Sequence, residues 1–315
     1  MKSLTLSLFL LLLSAGIRSQ SLYVEDLTCE HKKDPVGIDV PQPRLSWKIR
    51  GEGNNILQSA YSVRVALNPR FSSSGILWES GKITSDGSVL QAYQGPALKS
   101  ATKYYWQVRI WDNKGRVSKW SETATWETGL LSQEEWKAKW IEIEDDTNRY
   151  SPSPHFRKEF TVNKPILKAT LYITAHGLYE AMINGKKVGD QEMTPGWTSY
   201  GKRLQYQVYD VTDLVKKGNN AIGAILGDGW YRGSLAWEDN WAIYGRRLGL
   251  LLQLKLIHTD GSETLVVTDE SWKANNNPGI RMTDLYDGFV YDATRKLAGF
   301  NLPGYDDSGW KRVTT

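Results

Sequence analysis

Cysteine is almost absent from this sequence: Cys29 is the only one in 315 residues. That excludes a disulfide framework, so apolar cores must hold the fold. Within Leu27-Thr28-Cys29-Glu30 the thiol lies in a strand-like alternation and reads as a small buried hydrophobe. A nucleophilic cysteine would need a base paired with it in a catalytic motif, and a nucleophilic role is not expected of Cys29. Charge of one sign is also missing. The 39 basic and 35 acidic residues leave a net +4 with no long block of either, which gives nucleic acid no support as a partner. Neither Gly-x-Ser-x-Gly nor His-Glu-x-x-His occurs, so the usual serine-hydrolase and zinc-hydrolase signatures are absent. The four histidines, His31, His155, His176 and His258, are too scattered to suggest a metal cluster. No long stretch repeats with helical period, and no apolar run is long enough to span a bilayer.

Aromatics with a polar handle are abundant: Trp 14 and Tyr 16 beside Phe 6. Such rings suit sandwich cores and the flat faces of sugars alike. At the N-terminus, Lys2 precedes an apolar run over 4–13 and the small residues Ser14, Ala15, Gly16 and Ser19. This is the pattern of a signal peptide over 1–19, which implies export to a periplasmic or extracellular location. No cysteine lies at its cleavage region to carry a lipid anchor.

Over 21–129, short alternating segments recur between turn residues, at 23–30, 44–49, 61–67, 76–82, 104–111 and 124–127. That spacing predicts an all-β sandwich. Leu98-Lys99-Ser100-Ala101-Thr102-Lys103-Tyr104 is similar to the tyrosine-corner segment of fibronectin type III domains, with Ser100 in the proline place. Trp106, Val108 and Ile110 should then face the core, and Tyr105, Gln107, Arg109 and Trp111 should face outwards. Trp47 is the expected core Trp of the opposing sheet.

The stretch 171–233 organises the rest. Asn184-Gly185 is the pair best suited to a type I′ hairpin, and Asp260-Gly261 marks a second one. The unbroken apolar run 221–226 is of strand length and fits a buried position. A second all-β unit, a jelly-roll sandwich resembling a carbohydrate-binding module, is expected over 136–274. Residues 275–315 read as the start of a further β domain, incomplete at Thr315. Trp230, following the apolar run in Gly227-Asp228-Gly229-Trp230-Tyr231-Arg232-Gly233, is expected to continue into the same buried layer.

Taken together, several motifs resemble the N-terminal part of bacterial α-L-rhamnosidases of glycoside hydrolase family 78. Leu27-Thr28-Cys29-Glu30 and Pro43-Arg44-Leu45-Ser46-Trp47 look like the family's leading fibronectin-like module. Asn184-Gly185-Lys186-Lys187-Val188-Gly189-Asp190, Pro195-Gly196-Trp197-Thr198, Tyr209-Asp210-Val211-Thr212 and 227–233 are similar to its N-terminal β-sandwich. The resemblance implies inverting hydrolysis of terminal α-linked rhamnose by two carboxylates in an (α/α)6 barrel C-terminal to these modules. No such barrel is expected within this chain, so no catalytic residue is carried over and the chain alone is expected to be inactive. The physical argument agrees. Inversion needs two carboxyl groups held roughly 6.5–9.5 Å apart across a pocket, and the acidic residues here lie on turns and hairpins.

Related β-sandwiches bind rhamnose through calcium, so the resemblance also implies a carbohydrate site at Asp190, Trp197, Asp239 and Asn240, with Asp190 and Asn240 as metal ligands. Gln191 departs from the Asp-Asn pair of such modules. The implied partners are a rhamnose-containing polysaccharide or glycoside and the catalytic barrel of the same enzyme. A free-standing, lectin-like secreted protein is the alternative, and an adhesion scaffold on the fibronectin-like unit is another. Trp197, Trp230 and Trp237 serve equally well for sugar stacking or for packing against a barrel.

Overall fold

A computed structural model describes residues 22–72, 74–144, 146–237 and 240–315. The expected signal peptide and Asp239 lie outside the described residues. The chain divides into two compact units, one over 22–98 and 102–127 and one over 99–101 and 128–315. Almost all regular structure is antiparallel β, as expected.

In the first unit, strands Leu22–Cys29 (β1), Val36–Ile38 (β2), Arg44–Gly51 (β3), Gln58–Ala66 (β4), Ile76–Glu79 (β5), Ile83–Thr84 (β6), Gln91–Ala92 (β7), Lys103–Asp112 (β8) and Ala124–Thr128 (β9) form two sheets. One has the order β1-β3-β7; the other runs β2-β9-β8-β4-β5, with β6 also on β4. The period of two along β8 buries Tyr104, Trp106, Val108 and Ile110, and leaves Tyr105, Gln107, Arg109 and Trp111 half-buried on the other face. Trp47 is buried and donates its indole N–H to Gln58 Oε1 at 2.9 Å. Tyr104 stacks on Trp126 with centroids 5.3 Å apart. Cys29 is 1% exposed, and burial pushes its thiol up to about 12.

The second unit contains Ile141–Glu142 (β10), His155–Val162 (β11), Ile166–His176 (β12), Leu178–Ile183 (β13), Lys186–Lys187 (β14), Gln207–Asp210 (β15), Gly218–Gly227 (β16), Gly249–His258 (β17), Glu263–Val267 (β18), Lys273–Asn275 (β19), Ile280–Asp284 (β20), Gly288–Tyr291 (β21) and Lys311–Arg312 (β22). One sheet runs β10-β17-β12-β15 with β18 on β17; the other runs β14-β13-β16-β11-β19-β22. Their apolar faces share one core that includes Leu171, Ile173, Ile222, Ala224, Leu252, Leu254 and Trp272. Strands β12 and β13 belong to different sheets, and Gly177 between them turns the corner. Its φ is +111°, and a Cβ there would lie 2.5 Å from the Gly227 carbonyl oxygen, so only glycine fits. Asn184 and Gly185 both have positive φ, +51° and +83°, as the expected hairpin requires.

Residues 275–315 do not begin a separate domain. They fold back on the second unit, where β22 extends the β19 edge. The reason is Arg157, only 1% exposed on β11. Its Nε donates to the Phe300 carbonyl at 2.7 Å, and its guanidinium pairs with Asp307 and Glu159. Lys273 also reaches Asp307 at 2.6 Å. A buried guanidinium needs these partners, and Asp307 and the carbonyl come from the tail. Among the described residues, no helix is long and apolar enough to cross a membrane.

Candidate functional site

Two loops of the second unit carry the aromatics singled out from the sequence. One spans 188–206, between β14 and β15; the other spans 228–248, between β16 and β17. The first is tied to the sheet by neutral hydrogen bonds. Tyr179 donates to Gln207 Oε1 at 2.8 Å, Gln207 Nε2 donates to the Pro195 carbonyl at 3.1 Å, and Tyr209 donates to Gln191 Oε1 at 3.1 Å. Tyr179 and Thr194 exchange further bonds through the Tyr179 backbone.

The second loop starts with a single helical turn, Gly229–Arg232 (α1). Gly229 has φ +54°, and a Cβ there would come 2.5 Å from Leu178, so the tight start of the turn needs glycine. Arg232 points inward with its side chain 0% exposed, between Asp228 at 2.6 Å and Asp146 at 2.8 Å. Two buried carboxylates thus share one guanidinium. Burial raises Asp228 to about 6, against the lowering effect of Arg232. Asp228 N–H donates to Thr283 Oγ1 at 3.1 Å, and Asp284 accepts from the Ser234 N–H at 2.7 Å, which fastens the loop to β20.

The aromatic rings of the two loops form a continuous array. Trp197 lies parallel to Trp230, with centroids 5.8 Å apart and an interplanar angle of 7°. Its indole N–H donates to the Tyr244 hydroxyl at 3.1 Å. Tyr200 meets Tyr244 edge-on at 5.0 Å and Tyr231 at 5.3 Å. Tyr231 stacks on His176 at 4.7 Å, and His176 stacks on Trp140 at 4.0 Å. Trp197 remains 54% exposed despite these contacts, so its ring is oriented by neighbours while much of it faces water. A fixed, half-exposed indole offers an apolar plane to a flat ligand at little cost in side-chain entropy.

The residues expected at the site are separated by their local roles. Trp197 is part of the array. Asp190 is exposed and lies beside Tyr209, on the edge of the same loop. Asn240 is exposed and closes a turn, donating from Nδ2 to the Trp237 carbonyl at 2.8 Å. Trp237 is 84% exposed. Trp230 does not continue the buried strand layer. The strand ends at Gly227, and the helical turn sends Tyr231 against the core and Arg232 into the ion triad, leaving Trp230 half-buried on Trp197. Tyr200 and Tyr244 were missed. Their one sequence signal is position in loops already rich in aromatics.

The described residues bring together few of the donors that calcium takes, and Asp239 lies outside them. Calcium takes about six to eight oxygens. Asp190 brings one exposed carboxylate, and the adjacent Gln191 amide oxygen already accepts from Tyr209. Among the described residues, no three acidic, His or Cys side chains converge as a metal site.

Comparison with known proteins agrees with this architecture. Residues 24–132 match the Rha78A-like N-terminal immunoglobulin domain, and residues 164–315 match the α-L-rhamnosidase N-terminal domain. An α-L-rhamnosidase of Alteromonas sp. (strain LOR) is 38% identical over 296 residues, 90% of this chain and 32% of the relative. The structure of Streptomyces avermitilis α-L-rhamnosidase complexed with L-rhamnose superposes with a TM-score of 0.87 at 27% identity, over 93% of this chain and 45% of that one. The α-L-rhamnosidase structure from Dictyoglumus thermophilum gives 0.84 at 36% identity, over 92% and 34%. The chain thus spans about a third to under half the length of these relatives.

Proposed function

We propose that this chain, whose units belong to the Rha78A-like N-terminal immunoglobulin and α-L-rhamnosidase N-terminal domain families, is the non-catalytic β portion of an exported α-L-rhamnosidase. Its second unit meets rhamnose-containing glycan at the Trp197 face. One observation carries the second statement: Trp197 is 54% exposed, yet its plane is set by Trp230 and Tyr244. A deoxy sugar such as rhamnose has an apolar patch that suits such an indole, and tyrosine hydroxyls beside it can bond sugar hydroxyls. Binding is assigned to these rings and hydroxyls, and calcium held by Asp190 and Asn240 is the alternative that chelation tests. Export rests on the charge, apolar run and small residues of 1–19.

Titration calorimetry of the chain with a rhamnose oligosaccharide tests the face. Trp197→Ala should weaken binding by about tenfold or more, equivalent to about 1.4 kcal/mol of lost stacking. Its unfolding midpoint should shift little, because the ring is half-exposed. Binding should survive a chelator and Asp190→Ala. Loss of binding on chelation would restore calcium and Asp190 to the site, and undiminished binding by Trp197→Ala would remove the indole face from it.

A further inference from the structure

The first unit carries an unusual arrangement on the outer face of its larger sheet. Arg64 on β4 and Arg109 on β8 both lie over Trp120, at 4.2 Å and 4.5 Å from its ring centroid. Arg64 also lies over Phe71 at 4.7 Å, Arg109 over Trp111 at 5.3 Å, and Lys82 over Trp111 at 4.8 Å. The result is an alternation of cations and rings: Phe71, Arg64, Trp120, Arg109, Trp111, Lys82. Trp120 is held in place from both sides. Ser118 and Ser121 accept from the Ile110 and Val108 N–H groups through their hydroxyl oxygens at 3.0 Å and 3.1 Å, fastening segment 118–121 along β8.

The charges in this ladder do not balance. Arg64 donates to the neutral Gln107 Oε1, at 2.5 Å and 2.9 Å. Arg109 has Glu79 at 3.7 Å, beyond hydrogen-bond distance. Burial lowers Arg64 below the ordinary guanidinium value; Glu79 opposes this and Arg109 adds to it. Among the described residues, three cations therefore share one carboxylate, Glu79, on a half-buried aromatic face. Packing alone does not call for that excess, since like charges on neighbouring strands destabilise a sheet. An arriving anion removes the repulsion. A guanidinium stacked on a ring keeps its in-plane N–H groups, and these match a carboxylate in fork geometry.

We propose that this face binds an anionic glycan, its carboxylates received by Arg64 and Arg109 and its chain extended past Lys82. The surface is argued from the first unit alone. The choice of a glycan over other polyanions rests on the α-L-rhamnosidase reading, and the near-neutral charge of the whole chain argues against nucleic acid.

The test is calorimetry of the whole chain with an oligogalacturonate, a neutral dextran oligosaccharide of equal length, and single-stranded DNA. The oligogalacturonate should bind, the dextran should not, and binding should weaken with added salt. Arg109→Gln should weaken it by about tenfold, as expected for one charge-assisted contact. Glu79→Gln should strengthen it, an outcome a purely structural ladder would not produce. Lys82 is exposed, so Lys82→Gln should fold and bind more weakly even if Arg109→Gln does not fold. Trp197→Ala should leave this binding unchanged, which separates it from the sugar face of the second unit. Failure to bind oligogalacturonate, tighter binding of DNA, or affinity unmoved by both Glu79→Gln and Lys82→Gln would overturn the proposal.

Discussion

The buried triad Asp146–Arg232–Asp228 makes a pH-dependent prediction with a definite sign. Burial raises Asp228 from 3.8 to about 6. The folded state therefore holds the Asp228 proton more tightly than the unfolded state. Stability from this group is fully present below pH 3.8 and is lost as pH rises through about 6. At about 1.36 kcal/mol per pH unit of difference, the loss approaches about 3 kcal/mol between pH 4 and 7. Other carboxylates contribute in the opposite direction, among them Asp269 and Asp292 with lowered values, so absolute stability does not isolate the effect. The difference between wild type and Asp228→Asn does. Urea unfolding followed by hydrogen exchange in peptides covering Gly218–Gly227 reports the second unit. Relative to wild type, Asp228→Asn should gain stability steadily from pH 4 to 7. A flat difference would mean that Asp228 has an ordinary pKa. A difference falling with pH would mean that Arg232 holds the carboxylate below its normal range, and the burial argument would fail.

Other expectations follow from single positions. Gly177→Ala should destabilise the second unit by more than about 3 kcal/mol in urea unfolding, because a Cβ would meet the Gly227 carbonyl oxygen at 2.5 Å on a backbone with φ +111°. Cys29 should resist iodoacetamide at neutral pH in the native protein and react at the rate at which the first unit opens, since burial pushes its thiol up to about 12; fast native labelling would contradict its 1% exposure. The 315-residue chain alone should not hydrolyse an aryl α-L-rhamnoside, and turnover above a buffer blank would disprove this.

Regular strands were the legible part. On β8 a strict period of two places four large side chains in the core, and the same period can be read directly from Tyr104 to Ile110. The Asn184-Gly185 turn was equally readable, because few residue pairs tolerate positive φ twice in succession. Trp230 was misread for a local reason. Apolar residues up to 226 suggested that the strand layer continues, but Gly227 and Gly229 release the backbone into a helical turn, and the period changes there. The tail was misread for a long-range reason. Asp307 and the Phe300 carbonyl are called to the second unit by Arg157, about 150 residues earlier, and no local pattern announces a buried guanidinium. The ladder of the first unit was half legible: alternation put Arg109 and Trp111 outward, but Trp120 enters from a segment with no strand pattern of its own.

The turn α1 couples the two properties of the second unit that matter most. Successive residues of a helix point about 100° apart, so three neighbours serve three different surroundings. Trp230 stacks on Trp197, Tyr231 packs against the core and His176, and Arg232 enters the ion triad. A rotation of the turn's backbone would carry all three side chains with it. The ion triad is therefore more than an anchor for the loop, because the turn it holds also carries Trp230, the half-buried partner of the exposed Trp197. Arg232→Met would leave Asp146 and Asp228 buried without their cation, which ordinarily costs about 3–5 kcal/mol. Any relaxation of the turn that lowers this cost must also turn Trp230. Loss of sugar binding in a triad variant is therefore no evidence that the triad touches sugar, whereas loss in Trp197→Ala, which leaves the turn and its ion pairs in place, does place the ligand at the indole.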